Sequence, residues 1–363
     1  MRRKIEEFHD GAQDGLEPLE ALDLSRVEDF DDLLRAMGRT AFGGRSLGEA
    51  AEVFTAMVTD PDCLVVGTFS GAMSVAKMGL LICDMVDRGW LKVIITTGAL
   101  VAHGFIENLG RVHYKCPADR GDRTLYLQGY NRIYDTLEME ANLDYAEEIF
   151  RGVLAGLDLG VTWSSESLCR ELGRHLAATT DQPGLLRNAY LKGVPVYIPA
   201  FTDSELGLDV AGFNVRQGLA AGQDLATALS HLALSYNPFL DLGSYARKVL
   251  GAKRLGIFTV GGGVPRNWAQ QVAPFLELLH ARLGLELPEV RFTYGVRLCP
   301  EPAHWGGLSG STYREGVSWG KFVPPEEGGR FAEVLCDATI TWPLLLKAVQ
   351  QRLEKRQAAS GPK

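Results

Sequence analysis

The chain of 363 residues is 46% hydrophobic and 23% charged, which is typical of a folded globular protein and excludes a chain that is disordered throughout. Its net charge of −8, without any basic run, argues against nucleic-acid binding and mildly favours a cationic ligand. No hydrophobic stretch approaches the ~20 residues of a membrane span, and no secretory signal follows Met1. The six cysteines lie far apart without a C-x-x-C pair, so we expect reduced thiols and a cytoplasmic protein.

Short β-rich runs alternate with longer helical patterns along the chain. The predicted strands are residues 64–69, 91–95, 194–198, 255–260, 290–294 and 333–336. The predicted helices are residues 46–57, 74–86, 143–157, 165–177, 219–234 and 268–283, with a last helix that begins near Thr341 and Pro343. Continuous β-rich runs suit a parallel sheet that is buried on both faces. The pattern therefore predicts the α/β class, as one large domain or two closely packed ones.

Turns rich in glycine and hydroxyl groups follow four of the predicted strands, at residues 70–74, 96–99, 261–267 and 337–339. In an open parallel sheet, ligands bind where strands end, and helix N-termini there offer amide donors to phosphate groups. Asp337 also stands where a carboxylate can accept hydrogen bonds from a ribose. Each turn alone is a weak signal, because three consecutive glycines differ from the G-x-G-x-x-G pattern. The turns are therefore equally compatible with a nucleotide site and with tight turns that bind nothing.

Lys321 has the most unusual sequence surroundings of any lysine in the chain. Trp319 and Phe322 flank it, and the carboxylate of Glu315 lies six residues earlier. Aromatic side chains exclude water from an ammonium group and lower its pKa, which makes a neutral amine nucleophile available. The same rings can also hold a cationic ligand, with Glu315 as the counter-ion. The alternative is an ordinary solvated lysine, which is the common case.

The segment between residues 300 and 327 is rich in glycine, proline, tryptophan and serine and has no periodicity. A loop of this length within a compact domain usually has a function. No two histidines have the spacing of metal ligands with a carboxylate nearby, so no metal site is predicted.

These motifs together resemble the deoxyhypusine synthase family. Residues 315–321 (EGVSWGK) resemble the family's E-A-V-S-W-G-K signature, and further family motifs follow in the family's order at 96–99, 199–203, 261–264 and 337–338. The resemblance implies a Rossmann-like α/β fold in a single large domain at 41–350, with an N-terminal extension at 1–40 and a flexible C-terminal tail at 351–363. It also implies a homotetramer whose sites lie at dimer interfaces.

The resemblance further implies an NAD-dependent aminobutyl transferase. In the family, NAD takes a hydride from spermidine, and the lysine attacks the resulting imine and expels diaminopropane. The enzyme-linked aminobutylidene group then passes to an acceptor amine and is reduced by NADH. On this basis Lys321 is the nucleophile, Trp319 an aromatic substrate wall and Glu315 a substrate-binding carboxylate. The implied cofactor-binding residues are Ser74, Thr97, Gly98, Asp203, Gly261, Gly263, Ser309, Asp337 and Ala338.

The chain departs from the family pattern mainly around the substrate. Asn267 replaces an active-site histidine and is the second predicted catalytic residue, and His103 replaces an acidic residue and is predicted to bind substrate. Leu208 and Leu308 replace two substrate aspartates, although Asp209, also predicted to bind substrate, lies one position from the first. We therefore expect NAD binding and imine formation to be retained, and a polyamine pocket with less negative charge.

Three functions remain open at this point. The first is transfer from a polyamine to a small amine such as putrescine, which makes homospermidine. The second is transfer to a lysine of an acceptor protein, and the third is a non-catalytic NAD-binding homologue. Retention of Lys321 between two aromatic residues argues against the third, because a binding module has no use for a desolvated lysine. Neither a nucleic acid nor a membrane is an expected partner.

Overall fold

The computed structural model describes residues 3–359 and has a six-stranded, fully parallel sheet at its centre. The described strands are β1 Cys63–Phe69, β2 Val93–Thr96, β3 Tyr114–Lys115, β4 Tyr130–Ile133, β5 Thr136–Met139, β6 Thr162–Trp163, β7 Val196–Tyr197, β8 Ser235–Tyr236, β9 Arg254–Val260, β10 Phe292–Leu298 and β11 Arg330–Val334. The order in the central sheet is β11–β10–β9–β1–β2–β7. All six predicted strands are confirmed, with boundaries shifted by a few residues.

Helices cover both faces of this sheet. The described α-helices are α1 Phe30–Gly38, α2 Phe42–Thr59, α3 Gly79–Asp87, α4 Gly98–Asn108, α5 Asp122–Leu127, α6 Glu140–Ala155, α7 Ser165–Thr179, α8 Leu185–Lys192, α9 Glu205–Ala220, α10 Leu225–Ala228, α11 Phe239–Leu250, α12 Gly263–Gln270, α13 Val272–Leu283, α14 Tyr313–Val317 and α15 Ala338–Ala359. Val65 and Phe258 pack with residues of α2 and α15, whereas their neighbours Val66 and Ile257 pack with residues of α11 and α13. Alternate residues of one strand thus enter opposite cores, which explains the continuous apolar runs.

The connections between strands place a crevice beside β1. The chain runs outward from β1 through β2 to β7, returns to β9 on the other side of β1, and continues outward to β10 and β11. The direction of the strand order therefore reverses between β1 and β9. In doubly wound sheets, ligands bind at the carboxyl ends of the strands at such a switch point. The fold is the predicted α/β architecture, and its crevice lies between two of the glycine-rich turns.

Two small sheets were not predicted. The segment between α4 and α6 forms a three-stranded antiparallel sheet in the order β3–β5–β4, and β6 pairs with β8 in parallel. Their strands have two to four residues each, which is too short to give a readable alternation of polar and apolar positions.

Several predicted helix boundaries are wrong. The helix predicted at 46–57 begins at Phe42, and the Ser46 hydroxyl donates to the Phe42 carbonyl at 3.4 Å from inside the helix instead of capping its start. The helix predicted at 219–234 is not one element: α9 ends at Ala220, Gly222 turns the chain with a φ of 84°, and only α10 at Leu225–Ala228 is helical after the turn. The last helix begins at Ala338, which places Pro343 in its second turn.

The C-terminal helix also continues beyond the predicted domain boundary at residue 350. It reaches Ala359, and within it the buried Arg352 Nε donates to the buried Asp31 Oδ1 of α1 at 2.6 Å. Residues 351–359 are therefore helical, and the ion pair joins them to α1, which lies in the predicted N-terminal extension. The prediction of a flexible tail is wrong for these nine residues. Residues 360–363 lie outside the described residues, and the division of the chain at residue 40 stays a prediction.

Candidate active site

The turns after β1 and β9 meet in the crevice at the switch point. The Ser70 hydroxyl donates to the Gly262 carbonyl, and the Gly262 N–H donates to the Ser70 Oγ at 3.2 Å. Gly261 and Gly263 have φ values of 77° and 58°, a region that favours glycine. A Cβ on Gly262 would lie 2.5 Å from the Ser309 Cα, so only glycine permits this approach of the loop. Helix α12 begins at Gly263, and the free backbone N–H groups of its first turn face this crevice.

The turns after β2 and β7 are packed against each other in the same way. Thr97 caps α4, since its Oγ1 accepts from the Leu100 N–H at 3.3 Å and donates to the Gly71 carbonyl at 2.5 Å. A Cβ on Gly98 would lie 2.2 Å from the Ser204 Cβ at the start of α9. Glycine at this position therefore brings two helix N-termini together at the carboxyl edge of the sheet.

The other predicted cofactor residues differ in what they expose. Ser74 is buried, and its hydroxyl donates to the Leu100 carbonyl of α4 at 2.9 Å. It therefore fixes the turn after β1 to α4 and does not face the crevice surface. Asp203 and Asp337 are exposed, and the Asp337 Oδ1 accepts from the N–H and the hydroxyl of Thr339 at 2.7 and 2.9 Å. These bonds fix the carboxylate at the start of α15, where the buried Ala338 is the first helical residue.

Lys321 lines a cavity of about 240 Å³ together with Asn267, Gln270, Glu315 and Trp319. Its side chain is largely buried, and its Nζ donates to the Asn267 Oδ1 at 3.2 Å and lies 5.7 Å from the centre of the Trp319 ring. Burial lowers the pKa of the Lys321 ammonium below its ordinary value. The cavity therefore holds an amine that deprotonates more easily than a solvated lysine.

Two charges near Lys321 act on this pKa in opposite directions. The positive charge of Arg266 lowers the pKa further, and the carboxylate of Glu315 raises it. Glu315 is also fixed in a capping box of α14, because its N–H donates to the Thr312 hydroxyl at 3.0 Å and its side chain accepts from the Thr312 N–H at 3.4 Å. The carboxylate is thereby held at the rim of the cavity.

The two aromatic neighbours of Lys321 lie in different surroundings, and only Phe322 departs from the predicted position beside the lysine side chain. Phe322 does not line the cavity; it is fully buried against the rings of Phe292, Tyr313 and Phe331. This packing anchors the backbone beside β10, where the Phe292 N–H donates to the Lys321 carbonyl at 2.9 Å. Trp319 does line the cavity, but 62% of its surface is exposed in the single chain.

Sequence reasoning missed two buried arginines that hold the loop at 308–311. Arg266 donates to the carbonyls of Ser309 and Ser311 at 3.2 and 2.5 Å, and Arg297 also donates to the Ser311 carbonyl at 3.0 Å. Arg266 lies in α12 and Arg297 in β10, and a single arginine within a helix or a strand carries no sequence signal of such a role. Gln270, also missed, is 4% exposed, and its Nε2 has no hydrogen-bond partner among the described residues. This amide can therefore bind a polar group of a ligand in the Lys321 cavity.

Asp209 lies in a second cavity of about 240 Å³, between α4, α6 and α9. Five carboxylates line it, and they belong to Glu140, Asp144, Glu147, Glu205 and Asp209. Burial raises the pKa of Asp209 to about 7, and the charges of Glu147 and Glu205 add to this effect. The predicted loss of negative charge therefore does not extend to this cavity. The expected loss of charge was inferred from Leu208 on α9, whereas three of the five carboxylates belong to α6.

His103 lies in a buried cluster with His113 and Glu138 and does not line the Lys321 cavity. The three residues come from α4, from the segment after it and from β5, so their spacing along the chain gave no sign of a shared site. The reason for predicting no metal site was therefore wrong: the fold brings two histidines and a carboxylate within 4.8 Å of one another.

The comparison with known proteins decides the family. A model of the family described as "Deoxyhypusine synthase" matches residues 32–349. The chain belongs to the deoxyhypusine synthase family. It is 31% identical over 350 residues to "Probable deoxyhypusine synthase 1" of Methanosarcina acetivorans, an alignment that covers 96% of this chain and all of the relative. It is also 30% identical over 315 residues to the "Deoxyhypusine synthase-like protein" of Chlorobaculum parvum, which covers 86% of this chain and 84% of the relative.

A solved structure supports the fold of this deoxyhypusine synthase family member. A protein from Entamoeba histolytica, named as a candidate deoxyhypusine synthase, superposes with a TM-score of 0.57 at 12% sequence identity. The superposition covers 91% of this chain and 96% of the other. The family is one of transferases. Among residues 3–359, no helix is both long and apolar enough to cross a membrane.

The single chain of this deoxyhypusine synthase family member brings together only some of the predicted site residues. Lys321, Asn267, Glu315 and Trp319 line one cavity, and the predicted cofactor turns lie along the carboxyl edge of the sheet. Asp209 lines the acidic cavity, which has no lining residue in common with the Lys321 cavity. The predicted nucleophile and this predicted substrate carboxylate are therefore found in separate cavities of one chain.

The raised pKa of Asp209 predicts a pH dependence of stability. The folded pKa of about 7 lies above the ordinary value of 3.8, so this group favours folding fully below about pH 4 and loses that contribution as the pH rises through 7. We expect Asp209→Asn to gain stability relative to the wild type as the pH rises from about 5 to about 8. Chemical denaturation across this range measures the difference, with the exposed Glu148→Gln on α6 as control. A difference that does not change with pH would contradict this expectation.

Proposed function

We propose that this family member is an NAD-dependent aminobutyl transferase that acts on a polyamine through an imine at Lys321. The observation that supports it best is the buried Lys321 ammonium, whose pKa is lowered and whose Nζ donates to Asn267. Imine formation requires a neutral amine, and a partly buried site of this kind increases its fraction near neutral pH. A lysine with a purely structural role would more commonly be paired with a carboxylate.

The crevice at the switch point fits a dinucleotide. Gly98 and Gly262 let their turns pack closely against Ser204 and Ser309, which brings the turns together at the crevice. The N-termini of α4 and α12 offer amides to a pyrophosphate there, and the fixed Asp337 carboxylate can accept from ribose hydroxyls. NAD bound there would supply a hydride acceptor for oxidation of the donor amine. Loop 308–311, held by Arg266, would cover the site and limit the access of water.

The residues of the Lys321 cavity suggest how the transfer proceeds. The neutral Lys321 amine attacks the oxidised donor carbon, the C–N bond to diaminopropane breaks, and the departing amine takes up a proton. Asn267 orients the Lys321 Nζ through its side-chain oxygen but, unlike the histidine that it replaces, cannot exchange a proton with it. The aminobutylidene group then passes to an acceptor amine and Lys321 is regenerated, and the hydride accepted from the donor would return to reduce the new imine to a secondary amine. Trp319 and Glu315 can hold the cationic end of the substrate at the rim.

The arrangement of the two cavities favours a site shared between subunits. Trp319 is mostly exposed in the single chain, and the acidic cavity that suits a polycation is separate from the Lys321 cavity. In a homotetramer with sites at dimer interfaces, the acidic cavity of one subunit would face Lys321 of another. A large exposed tryptophan beside a functional cavity is typical of a surface that a partner covers.

The acceptor is proposed to be a small amine such as putrescine, so that the product is homospermidine. The names of the relatives favour the second candidate, transfer to a protein lysine as in deoxyhypusine synthesis. Incubation of the protein with NAD and spermidine, with and without putrescine, followed by mass spectrometry, distinguishes these cases. Diaminopropane and homospermidine are the expected products. Failure to release diaminopropane under any condition would contradict the proposed transferase.

The cofactor assignment predicts the effect of Asp337→Ala. Loss of the carboxylate removes the acceptor for ribose hydroxyls, and we expect NAD to bind ~1–3 kcal/mol more weakly. Isothermal titration calorimetry measures this, with the exposed Glu354→Ala on the same helix as control. Unchanged NAD affinity in Asp337→Ala, or a wild type that prefers NADP, would show that the cofactor has been assigned incorrectly.

A further inference from the structure

Three buried side chains converge between α4 and the small antiparallel sheet. The exposed fractions of His103, His113 and Glu138 are 6%, 9% and 0%. The His103 Nδ1 lies 3.3 Å from the Glu138 Oε2, the His113 Nε2 lies 2.6 Å from the same oxygen, and the two nitrogens are 3.4 Å apart. Two imidazole nitrogens and one carboxylate oxygen thus face a common point.

These separations are close to those of a tetrahedral metal site. Donors that bind Zn²⁺ at 2.0–2.1 Å in a tetrahedron lie ~3.3–3.4 Å from one another. Two of the three observed separations have this value. The third, between His113 and Glu138, is a short contact that must lengthen by less than ~1 Å to admit an ion. Two nitrogens and one oxygen are a donor set that suits Zn²⁺ better than Mg²⁺ or Ca²⁺.

Neighbouring groups orient the carboxylate toward the common point. The Glu138 Oε1 accepts from the Asn142 side chain at 2.7 Å and from the Met139 N–H at 2.9 Å. Its Oε2 is left to face His103 and His113. Hydrogen bonds of this kind to the second oxygen commonly support a metal-binding carboxylate.

A second set of contacts orients His113. Its Nδ1 faces the Glu107 Oε1 at 3.4 Å and the Lys77 Nζ at 2.9 Å, and Lys77 and Glu107 are themselves an ion pair. Nε2 therefore points to the cluster. When Nε2 binds an ion, Nδ1 carries the proton and donates it to Glu107, and the Lys77 ammonium, which can only donate, must move away from Nδ1. A carboxylate behind a histidine is a common outer partner of metal-binding imidazoles.

We propose that His103 Nδ1, His113 Nε2 and Glu138 Oε2 bind one Zn²⁺ ion per chain, with the fourth position open to a water molecule. The ion joins α4, which begins at the Thr97–Gly98 turn, to β5 and to the segment before β3. It thereby fixes the antiparallel sheet against the main domain. The site is separate from Lys321 and does not depend on the transfer chemistry.

Zn²⁺ titration of the full-length protein tests this proposal. The protein is stripped with EDTA and titrated with Zn²⁺ in competition with a chromophoric chelator, and Co²⁺ serves as a spectroscopic probe of geometry. We expect one Zn²⁺ per chain, the intense visible absorption of tetrahedral Co²⁺, and no displacement by Mg²⁺. A correctly folded wild type that binds no Zn²⁺ at the cluster would overturn the proposal and leave a hydrogen-bonded His–Glu–His network.

Two variants and a matched control locate the ion. His113→Asn and Glu138→Gln should each weaken Zn²⁺ binding by ~100-fold or more, because each removes a ligand. The surface pair His9 and Asp14 has a comparable contact of 2.8 Å, so His9→Asn should leave stoichiometry and affinity unchanged. Full Zn²⁺ affinity in both ligand variants would also overturn the proposal. If a variant fails to fold, the stoichiometry and the Co²⁺ spectrum of the wild type still decide.

Discussion

Replacement of Lys321 by arginine is expected to abolish aminobutyl transfer and to leave NAD affinity within about twofold of the wild type. Arginine keeps the positive charge, but its guanidinium does not deprotonate in proteins and cannot form the imine. The cofactor turns at Gly98, Gly262 and Asp337 do not include Lys321, so their geometry should persist. Diaminopropane release measured by mass spectrometry, together with an NAD titration, separates the two effects.

Two comparisons complete this experiment. The exposed Lys347→Arg on α15 should remain fully active, and Lys321→Ala should recover some activity with a small external amine, because the truncated side chain leaves room for it. Full activity in Lys321→Arg would end the covalent mechanism. Loss of NAD binding in the same variant would place the lysine in the cofactor site instead.

Co-expression of two inactive variants is expected to restore activity. Lys321→Ala lacks the nucleophile, and Asp209→Arg places a positive charge in the acidic cavity, where it repels a polycationic donor. If each site combines Lys321 of one subunit with Asp209 of another, a mixed dimer has one intact site and one doubly altered site. Random pairing then gives about one quarter of the wild-type activity, since half of the dimers are mixed.

The control for this experiment is the double variant Lys321→Ala/Asp209→Arg, which should restore nothing when co-expressed with either single variant. Native mass spectrometry verifies that mixed oligomers form, and circular dichroism verifies that Asp209→Arg is folded. Mixed oligomers without any activity would contradict a site shared between subunits. Activity in Asp209→Arg alone would show that the acidic cavity does not serve the reaction.

The central sheet could be predicted because its strands are buried on both faces. Nearly continuous apolar runs such as Leu255–Val260 suit a strand that is covered on both faces. The glycine-rich turns after these strands are required by close backbone contacts. The turns at Gly98 and Gly262 were therefore identified together with their position at the ends of strands. The motif around Lys321 was equally readable, because Trp319 and Phe322 flank one lysine within four positions of the sequence.

The remaining features depend on contacts between distant residues. Arg266 and Arg297 become important only because loop 308–311 folds over them, and the carboxylates around Asp209 come from two helices. His103, His113 and Glu138 converge through a small sheet whose strands are too short to predict. The segment at 219–234 was predicted as one helix because its apolar periodicity continues through Gly222, where the backbone turns.

Covalent trapping at Lys321 tests the central claim most directly. Borohydride added during turnover with NAD and spermidine reduces an imine to a stable secondary amine, which peptide mass spectrometry locates. The account predicts an aminobutyl adduct on Lys321 that requires NAD and is absent from Lys321→Arg. Turnover without any adduct on Lys321, or an adduct on another lysine, would contradict it.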